Sequence, residues 1–385
     1  METIIGGRRK RMQGGNRERG CPMRTAVPSV QAGRVALIGM TRAELRAWAT
    51  AQGWPAYRGD QVFTWVYGRK VRDFAGMTDL PRTVRQALAE TAVLAWPEPV
   101  RRDVADDGTV KYVLRLSDGA VVETVFMPHE RGRATVCIST QVGCPLRCRF
   151  CVTGAMGFRR NLTAGEIVGQ VLVVQAEHPE VSGWNVVMMG MGEPLLNLEA
   201  VEKALDILWD PQGLGIGPRR TTVSTVGVVP GIRRLMHRPV RPRLAVSLHA
   251  PDPTLRARLV PVERKYSLSE LVETLRAVPL KTRREWITIE YTLIGGVNDR
   301  PDHARRLARL VGSLRCKVNL IPYNPAPIFP FREPTPEAIT AFARVLRECG
   351  LTVTVRHNRG RSVMAACGQL GFEFVRPRLP RGAEG

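Results

Sequence analysis

The chain has no run of about 18 uninterrupted apolar residues, so a membrane-spanning helix is not expected. Its first residues, METIIGGRRKRMQGGNRERG, carry charge and glycine where a signal peptide would carry an apolar stretch, and the protein reads as cytoplasmic. Aromatic residues are scarce, at 6%, which argues against a platform of stacked rings for nucleobases. Acid is in short supply as well: 35 Asp and Glu face 57 Lys and Arg, a formal net charge of +22. Such a field raises the on-rate of a polyanion and supplies phosphate contacts, so charge favours a nucleic-acid partner. The other source of the same excess is an arginine-rich proteome. No basic amphipathic helix stands out, so no membrane partner is expected. Eight cysteines, unevenly spaced and with three bunched, do not form a secreted disulfide framework; in a reducing compartment such a bunch points to metal or catalysis.

What is present is long enough, at 385 residues and 44% hydrophobic, for one large domain or a large and a small one. Residues 1–35 are basic and Gly-rich without hydrophobic period and read as a disordered arm. Over 36–95 a small helical unit is expected, opened by the capping box Thr41 to Glu44 and continued by Val62, Phe63, Val66 and Tyr67 at helical spacing. A β-hairpin connector follows over 96–134, with Ser117-Asp118-Gly119 at its turn. From 135 to 350 short apolar strands alternate with amphipathic helices. The strands are expected at Thr135–Thr140, Asn185–Met189, Thr221–Ser224, Arg243–Leu248, Ile287–Leu293 and Lys317–Ile321. Six strand-then-helix units give an α/β fold with a parallel sheet, open or curled into part of a barrel, whose ligands sit at the strand C-terminal ends. The Gly-rich and polar signals collect there: the cysteine loop, GMGEP, STVG, SLHAP, GGVND and PYNP. Residues 351–385 read as a C-terminal strand and loop with a basic tail.

The bunched cysteines are Cys144, Cys148 and Cys151, in GCPLRCRFCVTG. Zinc wants a fourth ligand close by, and none stands near in sequence: His129 is too far upstream and His178 lies at a helix end. A cubane iron–sulfur cluster on three thiolates instead leaves one iron open to an exogenous ligand.

CxxxCxxC with an aromatic, Phe150, before its last cysteine resembles the signature of the radical S-adenosylmethionine (SAM) enzymes, whose partial (β/α)6 barrel agrees with the six units. The resemblance implies one [4Fe–4S] cluster on Cys144, Cys148 and Cys151, with SAM chelating the open iron and cleaved to a 5′-deoxyadenosyl radical. GMGEP resembles the motif that holds the methionine amino group, through Gly192 and Glu193. Ser224, Ser247, Leu248, His249 and Asn324 match the family's other SAM contacts.

A narrower resemblance covers nearly the whole chain. YRGDQVFTWVY, VVETVFMP, RATVCISTQVGCPLRCRFCVTGAMGFRRNL, MGMGEPLLN, STVGVVPGI, SLHAPD, YTLIGGVND, NLIPYNP and RHNRGRSVMAACGQL together are similar to the dual-specificity RNA methyltransferases that act on carbon 2 of adenosine. Relatives that methylate carbon 8 share most of these motifs and are the alternative reading. The resemblance implies 23S rRNA, at the peptidyl-transferase centre, and tRNA, beside the anticodon, as substrates. It further implies two SAM per methyl, an electron donor such as flavodoxin or ferredoxin, and a monomer. Carbon 2 of adenine is too poor a nucleophile for polar methyl transfer, and the family routes the methyl through a cysteine. Cys367 matches that methyl carrier, Cys137 its resolving partner, and Glu123 the acceptor of the ring proton. The helical unit and the arginine pairs are the expected RNA-facing surface. A radical SAM enzyme of another class, for instance a protein activase or peptide modifier, would have no use for Cys137 and Cys367, and a non-enzymatic iron–sulfur or zinc RNA-binding protein would cleave no SAM. Cys21, Cys316 and Cys349 read as small buried hydrophobes.

Overall fold

The computed structural model describes residues 33–282, 284–356 and 359–375. The expected arm lies outside these as far as residue 32, as does Cys21. Strand β1 (Val35–Ala36) leads into helices α1 (Arg42–Ala51), α2 (Tyr57–Phe63) and α3 (Arg82–Thr91), after which β2 (Ala92–Val93) returns to pair with β1 in parallel. The capping box is formed: Glu44 N–H donates to the Thr41 hydroxyl, and the Glu44 carboxylate accepts from Thr41 N–H at 2.8 Å. A cap of this kind is worth about 1 kcal/mol to a short helix. Beyond α2 the coil widens into a π turn, Thr64–Gly68, that buries Trp65, Val66 and Tyr67. The Tyr67 hydroxyl accepts from Gly39 N–H at 2.8 Å and donates to Met40 O at 2.9 Å, which fixes the entry to the unit.

Three antiparallel strands follow, β3 (Glu98–Val104), β4 (Val110–Arg115) and β5 (Val121–His129). The last two are the expected hairpin; β3 is an addition, exposed along most of its length and without a clear apolar alternation to betray it. Next come β6 (Arg133–Cys137), β7 (Gln141–Gly143), α4 (Val152–Met156) and β8 (Phe158–Asn161), with β7 and β8 pairing on either side of the cysteine loop. The remaining elements alternate: α5 (Ala164–Glu177), β9 (Gly183–Met188), α6 (Leu198–Trp209), β10 (Thr221–Thr225), α7 (Val229–Met236), β11 (Arg243–Ser247), α8 (Pro253–Leu259), α9 (Leu268–Arg276), β12 (Ile287–Leu293), α10 (Pro301–Val311), β13 (Cys316–Pro322), α11 (Pro336–Glu348), β14 (Thr352–Val355) and α12 (Phe372–Val375).

One ten-stranded mixed sheet runs in the order β14-β13-β12-β11-β10-β9-β6-β5-β4-β3. Strands β6 and β9 to β14 are mutually parallel, the six expected units plus the C-terminal strand, and the antiparallel hairpin continues the same sheet through β5. This is the radical SAM α/β fold, a partial barrel with a small helical unit before it. Side chains alternate along each strand. Val186, Met188, Val223, Leu244, Val246, Ile289, Tyr291, Val318 and Leu320 are buried in the core. The alternate positions form a polar ladder across neighbouring strands. Ser224 and Ser247 hydroxyls lie 3.4 Å apart, Asn319 donates to Glu290 at 2.7 Å, and Thr354 donates to Asn319 at 3.0 Å. Gln170 of α5 accepts from the Thr124 hydroxyl and Ser139 N–H at 2.7 and 2.8 Å, locking hairpin, barrel and helix together.

Candidate active site

The cysteine loop leaves the C-terminal end of β6 and is shaped by backbone contacts. Gly143, at φ 75°, has its carbon so close to Gly157 O that a Cβ would lie 1.8 Å from it, so only glycine allows the chain to turn there. Cys144 N–H donates to Gly157 O at 2.9 Å and Cys151 N–H to Cys148 O at 3.2 Å. Phe150 points into an apolar cluster with Ala250, Leu259, Val260, Val262, Ile294 and Tyr323, against which Cys148 and Cys151 also pack. Burial pushes the thiol of Cys144 up to about 12 and those of Cys148 and Cys151 upward, so metal must displace protons that this site favours. Among the described residues no three His, Cys, Asp or Glu side chains are grouped to hold a single ion. A cubane ties each thiolate to its own iron and does not ask them to meet at one point. Arg256, fully buried, lies beneath the loop and near Cys148, with Glu263 and the carbonyls of Val226 and Leu248 as partners.

Residues expected to contact SAM gather on the neighbouring strand ends. Gly192, at φ 102°, would carry a Cβ 2.5 Å from Gln141 Cβ, so glycine alone brings this loop against the cysteine loop. Glu193 is buried, and its two oxygens accept from Leu195 N–H and Val226 N–H at 3.1 and 3.0 Å. Burial still pushes its carboxyl up to about 7, so a cationic partner has a strong claim on it. Ser224 and Ser247 present hydroxyls to the lumen. His249, at φ 59°, accepts Thr292 N–H on Nδ1 at 3.0 Å, which leaves its proton on Nε2, and burial lowers it to about 3, so the ring is neutral. Its ring meets Phe150 edge-on at 4.9 Å. Leu248 is different: its side chain is fully buried in the core, and its carbonyl accepts from Ala250 N–H and Arg256, so it offers the lumen no free polar atom.

Cys137, at the end of β6, and Cys367, in the segment after β14, line one cavity of about 80 Å³ together with Cys151, Asn324, Arg356 and Gly190. Burial pushes the Cys137 thiol up to about 12, and the nearby Cys367 adds to the rise. Asn324 donates to Cys367 O at 3.4 Å, while its Oδ1 is buried with no partner, an acceptor waiting for a donor. The segment is pinned over this end of the barrel: Val152 N–H donates to Gly368 O and the Thr153 hydroxyl to Leu370 O, both at 2.8 Å. With the segment so placed, the cavity admits a few waters and no nucleoside. A cleft of about 700 Å³ lies away from it, between the entry to the helical unit and the barrel helices, and one of about 530 Å³ lies between the helical unit, the hairpin and the start of α5.

Glu123 of β5 sits beside this cavity, 1% exposed, with Oε2 accepting Gly371 N–H at 2.8 Å and Oε1 3.8 Å from Lys111 Nζ. The three thiols, the buried Glu193 and the orphaned Asn324 oxygen together fit a three-cysteine cluster with a cofactor that bears both an ammonium and hydrogen-bond donors. Sequence reasoning missed Lys111, Arg256 and Arg356, which read singly as solvated charge; RHNRGRSVMAACGQL contains Arg356 without singling it out. It also misjudged Cys349, which is exposed; Cys316, half-buried, packs against the core.

Comparison with known proteins agrees with this geometry. Residues 138–308 match the radical SAM superfamily, and residues 35–94 match the ribosomal RNA large subunit methyltransferase N-terminal domain. The chain is 46% identical over 340 residues to the probable dual-specificity RNA methyltransferase RlmN of Gemmatimonas aurantiaca, covering 88% of this chain and 93% of the relative. It is 46% identical over 361 residues to the dual-specificity RNA methyltransferase RlmN of Nitratidesulfovibrio vulgaris, covering 90% and 98%. A crystal structure of a radical SAM methyltransferase from Sphaerobacter thermophilus superposes with a TM-score of 0.83 at 47% identity, over 88% of this chain and 99% of that one. The chain therefore belongs to the RlmN family of dual-specificity RNA methyltransferases within the radical SAM superfamily, enzymes of a [4Fe–4S] cluster and SAM.

Proposed function

We propose that this protein methylates carbon 2 of adenosine in 23S rRNA, at the peptidyl-transferase centre, and in tRNA beside the anticodon, with the methyl passing through Cys367. The observation that carries the reading is the shared cavity: Cys137 and Cys367, brought from opposite ends of the barrel sequence, meet beside Cys151 of the cysteine loop. A radical SAM enzyme that only generates a radical has no need of that pair. In this reading Cys144, Cys148 and Cys151 hold the cluster, and Gly192, Glu193, Ser224, Ser247, His249 and Asn324 hold SAM. When bound, these groups supply a methyl for a thiolate and a one-electron route to a carbon radical, at two SAM per methyl.

The chain's own residues do the rest. Cys367 presents its sulfur as methyl acceptor. Glu123 takes the ring proton. The Cys137 thiolate attacks the Cys367 sulfur: the S–S bond forms, the bond from sulfur to the bridging methylene carbon breaks, and that carbon keeps the electron pair and takes a proton, which frees the methylated base; thiolate character and access set the rate. Because the cavity has about 80 Å³, the adenine reaches Cys367 only when the segment carrying that residue shifts away from Glu123 and the loop at Thr153. A base offered to this site leaves its stack first. The domain division belongs to the same reading: a helical RNA-binding unit at 36–95, a connector to 134, the barrel to 350 and the carrier segment beyond. So do a cytoplasmic monomer and a flavodoxin or ferredoxin as electron donor.

The test is anaerobic turnover of the reconstituted protein with methyl-labelled SAM and an unmodified ribosomal RNA fragment, followed by nucleoside mass spectrometry. Carbon-2 methyladenosine is the expected product. Carbon-8 methyladenosine moves the protein to the relatives that modify that position, and label on Cys367 without RNA product overturns the substrate.

A further inference from the structure

We propose that Lys111 is a positioning residue for Glu123, the buried cation that keeps that carboxylate ionised and turned to the barrel lumen once the Cys367 segment shifts. The inference rests on the reading of Glu123 as proton acceptor and adds the group that lets it act.

Strand register places the residues. Asp103 of β3 lies opposite Lys111 of β4, Lys111 opposite Val125 of β5, and Val125 opposite Cys137 of β6, so one row on one face joins the hairpin to the thiol pair. Glu123 is the diagonal neighbour of Lys111 in that row, a distance long side chains span. Lys111 Nζ stands 3.8 Å from Glu123 Oε1 and 3.4 Å from Asp103 Oδ2. The lysine is 2% exposed and the glutamate 1%. A lysine buried that far is sustained by paired carboxylates, and one partner lost leaves a costly charge behind.

The other groups facing Glu123 are Gly371 N–H, Glu373 of α12, and Arg101 and Asp103 of β3; Arg101 is held by Asp103 and Glu373. Burial raises the Glu123 carboxyl above its ordinary range, and Lys111 is foremost among the groups that oppose the rise. Gly371 and Glu373 belong to the segment that carries Cys367. When it moves, the backbone donor leaves with it and Lys111 remains. In the proton step the ring C–H bond breaks, its electron pair stays with the ring, and an O–H bond forms on Glu123. A Glu123 that already holds a proton cannot accept that one.

The experiment is a single-turnover pH profile of RNA methylation by the holoenzyme, for the wild type, Lys111→Gln, Lys111→Arg and Glu123→Gln. Beside it, S-methylation of Cys367 without RNA is read by peptide mass spectrometry. Lys111→Gln, which can still hydrogen-bond both carboxylates, is expected to move the acid limb of the profile upward by about one pH unit or more. Cys367 methylation stays at wild-type extent across the range, and Lys111→Arg restores the limb. An acid limb in Lys111→Gln that coincides with wild type overturns the proposal, as does a matching loss of Cys367 methylation. Should Lys111→Gln not fold, Asp103→Asn removes the carboxylate competing for the lysine and moves the limb downward, and an unmoved limb again overturns it. Glu123→Gln with wild-type turnover instead removes the proton-acceptor reading on which the proposal stands.

Discussion

Glu193 offers a measurement in which structure alone sets sign and size. The perturbation is Glu193→Gln in chelated, reduced protein without SAM, and the assay is urea unfolding between pH 5 and pH 8. Burial raises the carboxyl from its ordinary 4.5 to about 7. Below 4.5 the folded and unfolded chains both carry the proton. Between 4.5 and 7 the folded chain keeps it and the unfolded chain does not, so stability falls as pH rises; above 7 both have lost it and the folded chain bears the full cost. At about 1.4 kcal/mol per pH unit, the move comes to about 3 kcal/mol. Glutamine is nearly isosteric with the protonated acid and pays nothing for ionisation. The variant should match wild type near pH 5 and exceed it by up to about 3 kcal/mol at pH 8, while losing SAM binding. A stability difference that stays flat from pH 5 to pH 8 would refute the reasoning, because it would mean that the carboxylate is not desolvated where its partners are two backbone N–H groups and the Thr225 side chain.

Other expectations are direct. Cys137→Ala should leave a covalent protein–RNA species on a denaturing gel, and an absence of that species contradicts its resolving role. Gly192→Ala forces a Cβ to within 2.5 Å of Gln141 at φ 102° and should cost about 2 kcal/mol in unfolding free energy together with SAM cleavage. Arg256→Ala strips Glu263 and two carbonyls of their buried partner, a loss of about 3–5 kcal/mol, read from the unfolding midpoint, with iron content reporting on the cysteine loop above it.

The barrel was legible because its signals are local. Ile287–Leu293 is the strand expected, and Ala164–Glu177, Leu268–Arg276 and Pro336–Glu348 begin at Thr163, Ser267 and Thr335, whose side chains cap them. The cysteine loop and GMGEP announce themselves in a few residues each. What escaped depends on partners distant in sequence. Strand β3 is mostly exposed and becomes a strand only because β4 pairs with it. Lys111 resembles any strand lysine until Asp103 and Glu123 are seen on either side. His249 was expected to spend its imidazole on the cofactor, and Thr292 takes one nitrogen through a contact that no local pattern announces.

The sheet does not close on itself: β3 and β14 are its two free edges, and the stretch between β14 and α12 spans them, with Gly360 N–H donating to Asp107 and Glu373 meeting Arg101. For the folding chain, these are contacts of high order. Contacts between residues so far apart in sequence slow folding, since loop-closure entropy is lost before any contact rewards it. Cys137 and Cys367 are therefore neighbours through a long-range contact of the folded chain and not through any local element, and whatever loosens the stretch that spans the two sheet edges also parts the two sulfurs.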